Sequence, residues 1–172
     1  MRNEIRFFTA TIINWQRLLK PDKYKQIIVD SLGFLVQANR VWIYGFVVMP
    51  NHVHILWRMQ QGHEEKNVRR DFLKFTAQQI QADLKLHHPL VLNYFVSTQA
   101  DRQYQFWERR AYSLSLRATD ALEQKLDYIH NNPLNAKWML AETPEHYKFS
   151  SASYYVFNEN KFEFITHYKE HI

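Results

Sequence analysis

The chain contains no cysteine. Disulfides, thiolate metal sites and a cysteine nucleophile are therefore excluded. Glycine is nearly as scarce, at 3 of 172 residues, and no stretch is low in complexity. Long flexible linkers and disorder are not expected from such a composition. No apolar run approaches the ~20 residues of a membrane-spanning helix. The opening residues, Met1 to Arg6, lack the apolar centre of a signal peptide. The expectation is a soluble cytoplasmic protein with no membrane partner.

What is present points to one packed domain over residues 1–172. Hydrophobic residues make up 46% and aromatic residues 16% of the chain, enough for a sizeable core. Lysine and arginine number 22 against 17 acidic residues, for a net charge of +5. A basic, aromatic-rich domain suits a polyanionic partner, of which nucleic acid is the commonest.

The apolar pattern gives the order of elements. Phe7 to Ile13 is β-branched and aromatic and reads as a strand. Tyr24 to Asn39 carries Ile27, Ile28, Leu32, Leu35 and Val36 at helical spacing after the Pro21-Asp22 start signal. Val41 to Met49 is almost wholly apolar, as in a strand covered on both faces. After the Pro50-Asn51 turn signal, His52 to Arg58 alternates, with His52, His54 and Leu56 on one face and Val53, Ile55 and Trp57 on the other. A loop over Gln60 to Asn67 precedes a long helix, Val68 to Leu86, with Val68, Phe72, Phe75, Ile80 and Leu84 as its stripe. Val91 to Asp101 has no clear assignment. Tyr104 to Leu116 reads as a strand. Thr119 or Asp120 caps a further helix whose stripe is Leu122, Leu126 and Ile129, and Pro133 sets a kink or break at Asn132. The implied class is α+β, a ferredoxin-like split βαβ arrangement with helices on one face of an antiparallel sheet.

Two histidines two apart on a strand point the same way, with Cβ atoms roughly 6–7 Å apart. His52 and His54 can therefore reach one cation, although such a pair can equally be two partly exposed sheet residues. Two imidazoles do not complete a site; a third ligand and a substrate oxygen are required. In the last helix Tyr128 sits off the apolar stripe, with Lys125 near it and Asn132 one turn on. Tyrosine can act as a covalent nucleophile but needs its developing charge stabilised, which a metal supplies. An ordinary amphipathic tyrosine is the plain alternative, as a surface or structural role is for His130.

Taken together, GFVVMPNHVHIL (Gly45 to Leu56) and YIHNNP (Tyr128 to Pro133), roughly seventy residues apart, resemble the single-tyrosine transposases of the His-hydrophobic-His (HUH) family. The branch they are most similar to is the REP-associated tyrosine transposases. LKFTAQQI (Leu73 to Ile80), FWERRAY (Phe106 to Tyr112) and Phe149-Ser150-Ser151 extend the likeness over most of the chain.

The resemblance implies a divalent ion, Mg or Mn, on His52 and His54, with Asn132 as third ligand where the wider family has Gln. It implies that Tyr128 cleaves single-stranded DNA at a hairpin or palindromic repeat through a 5′-phosphotyrosine, by a monomer or a homodimer. Arg69, Arg70, Lys74, Arg109, Arg110 and Lys125 are the candidates for contact with the DNA backbone. Two other readings remain open on the residues. One is a catalytically inactive, transposase-derived regulator that binds DNA or RNA hairpins. The other is a two-histidine metal hydrolase that activates water.

Overall fold

The computed structural model describes residues 3–172; Met1 and Arg2, part of the charged opening stretch, lie outside the described residues. Strand β1 spans Ile5–Thr11, helix α1 Asp22–Gln37, β2 Val41–Val48, β3 His52–Met59 and α2 Glu65–His87. They are followed by α3, Pro89–Leu92, β4, Tyr112–Leu116, α4, Thr119–Asn131, and α5, Ala152–Phe157. The four strands lie in the order β2-β3-β1-β4 with every neighbouring pair antiparallel. This is the split βαβ arrangement that the pattern implies. Within the described residues no helix is long and apolar enough to cross a membrane.

Helices cover both faces of the sheet, not one. α1 and α2 pack on the face of Phe8 and Trp57, whose rings stack at 4.9 Å, and Phe72 of α2 meets Trp57 edge-on at 6.2 Å. α4 packs on the opposite face, where register aligns Phe7 with Leu56 and Thr9 with His54. The physical reason was already in the sequence: β2 is buried from Ile43 to Val48, and a strand apolar on both sides needs cover on both.

The long helix begins at Glu65, three residues before the apolar stripe does. Its buried ladder is Val68, Phe72, Thr76, Ile80 and Leu84, while Phe75 is 47% exposed. Thr76 takes the core position because its hydroxyl is fully engaged. It donates to Phe72 O at 2.9 Å and accepts from Trp107 Nε1 at 3.1 Å.

The strand expected over Tyr104 to Leu116 is regular only from Tyr112. Before that the chain crosses the end of β1, with Ile13 N donating to Phe106 O and Glu108 N to Thr11 O, each at 2.8 Å. Gln105, Phe106 and Trp107 are buried in succession, a run that the two-residue period of a half-buried strand does not give. The unassigned stretch after α2 holds α3 and a 3-10 turn at Asn93–Phe95. α4 starts after Ala118 with no side-chain cap from Thr119 or Asp120. Pro133 does end it, but Asn132 keeps helical angles (φ −54°, ψ −43°), so the break falls one residue later than expected.

The tail closes the outer edge of β2. Val48 N donates to Phe149 O, Ser151 N to Phe46 O, and Thr166 N to Ile43 O, all within 3.0 Å. Tyr147 and Tyr155 donate their hydroxyls to Val48 O and Tyr44 O. An edge that would invite pairing with another chain is thereby covered.

Gly45 permits the approach of α4. A Cβ there would lie 2.5 Å from Leu126 Cδ1 and 3.3 Å from Ser151 Oγ. Gly45→Ala is expected to cost about 1–3 kcal/mol by overpacking. In urea unfolding the cost should shrink in a Leu126→Ala background, because the two side chains share one space. Strictly additive losses would mean that the contact does not set the spacing.

Candidate active site

The chain runs β2, turn, β3, and the turn delivers two histidines to the α4 face near the sheet's centre. His52 and His54 are both buried, with ring centroids 4.7 Å apart and planes at 71°. Each imidazole is oriented by a neighbour. Asn51 donates its Nδ2 to Trp15 O at 3.3 Å, an atom that can only accept. Its Oδ1 therefore faces His52 Nδ1, 2.7 Å away, and Nδ1 must be the donor. In the neutral ring this leaves Nε2 as a lone pair. That lone pair lies 3.2 Å from Asn132 Oδ1. A bare imidazole nitrogen facing an amide oxygen is a pair of acceptors, which a cation bridges or a rotation of the amide relieves. The His54 ring is positioned by the Thr9 hydroxyl, 2.7 Å from Nδ1, a group that can donate or accept.

Burial keeps both rings neutral. It pushes His52 down to about 4, against a rise from the Asn132 contact and with a further lowering by Lys137. It pushes His54 down to about 3, helped by His52 and Lys125. Neutral imidazole is the ligating form. Among the described residues no group of three His, Cys, Asp or Glu could hold a metal; the polar groups that meet here are the two imidazoles and the Asn132 amide.

Tyr128 reaches the same place from α4. Its ring lies 5.3 Å from that of His54 and 6.1 Å edge-on from Phe7, and it is 50% exposed. Lys125 Nζ stands 5.5 Å from the centre of the Tyr128 ring and 4.9 Å from that of Phe7. A half-open phenol beside two buried imidazoles is placed to meet a substrate that enters from solvent. His130 points away from them and is structural: its Nε2 is 2.8 Å from Ser151 Oγ, which also accepts from Phe46 N.

The remaining basic candidates fall elsewhere. Arg69, Arg70 and Lys74 of α2 and Arg109 and Arg110 line one open cleft of about 930 Å³ on the other side of the sheet. Lys125 alone stands at the tyrosine. Thr9, Asn51 and Trp15 were not among the sequence candidates. Thr9 is recognisable only once register sets it opposite His54. Trp15 was hidden in a short segment with an unusual backbone, φ 55° following Asn14 at φ 54°.

Three buried histidines with lowered pKa make stability depend on pH. His130 is also pushed down, to about 4, by burial. The unfolded chain binds protons first as pH falls below ~6.5, the ordinary histidine value. The stabilisation is therefore complete above that value and is lost on acidification toward pH 4. Each such histidine steepens the loss by about 1.4 kcal/mol per pH unit. Urea midpoints should fall between pH 7 and pH 5, and less steeply in His130→Gln. A flat profile over that window would show that the rings are not held neutral by the fold.

No protein-family profile matches the sequence, and no curated protein matches it. Solved structures do. A REP-associated tyrosine transposase bound to a REP hairpin superposes with a TM-score of 0.63 at 19% identity, over 89% of this chain and 79% of that one. A protein of Deinococcus radiodurans R1, provisionally described as a transposase, covers 76% of this chain and 91% of its own at 18% identity, with a TM-score of 0.49. The chain has the fold seen in the REP-associated tyrosine transposase.

Proposed function

We propose that the protein is a metal-dependent nuclease and strand transferase that acts on single-stranded DNA at hairpin repeats. The observation that carries this reading is the convergence of His52, His54, Asn132 and Tyr128 from two elements remote in sequence. The fold shared with a transposase that is described in complex with a REP hairpin supports it.

His52 Nε2, His54 and the Asn132 amide would hold a divalent ion. Three uncharged donors rich in nitrogen suit Mn better than Mg, with phosphate oxygens and water completing the shell. When bound, such an ion polarises the scissile phosphate and stabilises the charge that develops on it. Asn51 keeps His52 in the tautomer that leaves Nε2 bare, and Thr9 orients the His54 ring. Tyr128 Oη bonds to phosphorus and the bond from phosphorus to the 3′ oxygen breaks. The tyrosine proton passes through solvent to the departing oxygen. The products are a 5′-phosphotyrosine and a free 3′-OH. Attack by that 3′-OH, or by one from another strand, reverses the step. The number of ester bonds is conserved, so no nucleoside triphosphate is consumed. Lys125, beside the phenol, is placed to meet the incoming phosphate.

Single-stranded DNA carrying the hairpin repeat that neighbours the gene, incubated with Mn, should yield a covalent adduct on a denaturing gel. Chelation should remove the adduct, Tyr128→Phe should abolish it, and His52→Ala should lower its rate by roughly 100-fold, as loss of a metal ligand does. Cleavage that survives Tyr128→Phe would replace this reading with a water-activating hydrolase. Tight hairpin binding with neither cleavage nor adduct would replace it with an inactive hairpin-binding regulator.

A further inference from the structure

Of the five tryptophans, three are taken up by the fold. Trp57 and Trp107 are buried, and Trp42 lies edge-on to His171 at the end of the sheet remote from the histidines. The other two stand at the His52 end of the site. Trp15 is 64% exposed. Trp138 is half-buried, with its ring 6.2 Å from that of His52. Lys137 Nζ stands 5.9 Å from the centre of the Trp15 ring and 5.4 Å from that of Trp138, and the Arg17 guanidinium lies 5.1 Å from Trp138 on its own account. Lys137 and Arg17 are exposed and make no ion pair among the described residues. Hydrophobic cover alone gives no reason to hold two unanswered cations against these faces. An unpaired nucleotide does, since its base stacks on a ring and its phosphate meets a cation.

Trp138 is held in place by its backbone. Its N–H donates to Asn135 O at 2.8 Å, and Leu140 N closes the same turn on Pro133 O at 2.8 Å. The turn follows directly on Asn132, so the ring is fixed relative to the histidines. Four rings then succeed one another across the site. Trp138 neighbours His52, His52 lies 4.7 Å from His54, and His54 lies 5.3 Å from Tyr128.

This order has a direction. Displacement at phosphorus sets the attacking and the leaving oxygen roughly in line, on opposite sides. With Tyr128 attacking from the His54 side, the 3′ oxygen departs toward His52. The nucleotide that carries it lies where Trp138 stands.

We infer that Trp138, with Trp15 as outer wall, stacks the base of the nucleotide immediately 5′ of the scissile phosphate and so retains the strand that ends in the new 3′-OH. The inference rests on the proposed function and deepens it, by assigning a base subsite on the leaving-strand side. Trp138 is a positioning residue for the return step. There the 3′ oxygen bonds to phosphorus, the bond from Tyr128 Oη breaks, and the hydroxyl proton passes through solvent to the phenolate. A strand that has drifted away cannot make that attack.

The test is equilibrium binding by fluorescence anisotropy with chelator present, so that cleavage plays no part. The probe is the labelled DNA hairpin repeat that neighbours the gene, with a single abasic nucleotide moved stepwise along its unpaired flanks. In the unaltered protein one position should lose about tenfold in affinity when its base is removed, the size of one stacking contact. Trp138→Ala should lose about tenfold on the intact probe and be indifferent, within about twofold, to the abasic nucleotide at that position. Trp138→Leu, which keeps apolar cover without a ring, should behave as Trp138→Ala does, whereas Trp138→Phe should restore most of the affinity and the abasic penalty. With Mn added, the sensitive position should be the nucleotide on the 5′ side of the cleavage point. Unchanged affinity in both Trp138→Ala and Trp138→Leu, an abasic penalty that survives in them, or a sensitive base on the 3′ side of the cut would overturn the assignment. A chain that forms no tyrosine adduct but loses the abasic penalty with Trp138 would refute the strand-transfer reading and leave the base subsite standing.

Discussion

Leu126 of α4 rests on β2 at a residue with no side chain, and the geometry of the site descends from that contact. From this anchor α4 advances about 9 Å to Asn132 at 1.5 Å per residue. β3 advances about 13 Å from Leu56, which lies opposite Gly45, to His52. Both elements run toward the same end of the sheet, so the amide and the imidazole meet there, and Tyr128 passes over His54 on the way. A helix lifted by the bulk of a valine would carry Tyr128 and Asn132 away together. The tail guards the spacing from outside: Ser151 bonds both to β2 and to His130, and Tyr168 donates its hydroxyl to Glu123 Oε1 at 2.6 Å.

Orientation of the His52 ring follows a different logic, that of atoms which can play only one role. A backbone carbonyl accepts and never donates, so Trp15 O fixes the Asn51 amide, and the amide fixes the His52 tautomer. The left-handed backbone at Asn14 and Trp15 is what aims that carbonyl inward, and it is held by Asn14 N donating to Glu108 Oε1 at 2.9 Å. Unfavourable backbone angles of this kind persist where surrounding structure over-determines them, and they gather at working sites. Here the turn results in a bare nitrogen lone pair facing Asn132.

Much of this was legible in the amino-acid pattern, and the failures have a common cause. The strand alternation around His52 and His54, the wholly apolar β2 and the stripe of α4 give the topology, because periodicity reports directly on burial. The one-sided packing of helices was a wrong inference from the same data, since β2 already demanded cover on both faces. Phe75 and Thr76 exchange roles because periodicity ranks residues by apolarity, whereas burial of a threonine turns on whether its hydroxyl finds partners. The stretch from Tyr104 to Ala111 is rich in strand formers yet is shaped by its crossing of β1, a contact between distant segments. Thr9, Asn51 and Trp15 escaped for that reason too: their importance lies in a partner that register and turn geometry supply. The segment from Trp138 on carries aromatics without a clear period, and its later part covers a sheet edge.

The junction after α4 shows how local preference and tertiary demand were reconciled. A residue before proline is biased away from helical angles, because the proline ring crowds its backbone. Asn132 is helical nonetheless, and it is buried against His52. Had the helix broken at Asn131, the amide would have left the turn that carries it to the imidazole. Had it continued, Pro133 would have lacked the N–H that a regular helix requires of it. The chain keeps the helical angle through Asn132, tightens into a 3-10 turn over Asn132–Leu134, and returns Leu140 N to Pro133 O at 2.8 Å. Proline here acts as a stop placed one residue beyond the last group the site needs. The unfavourable angle before it is carried by the same residue that supplies the third candidate ligand, so the position of Asn132 is set by competing constraints and cannot drift along the helix.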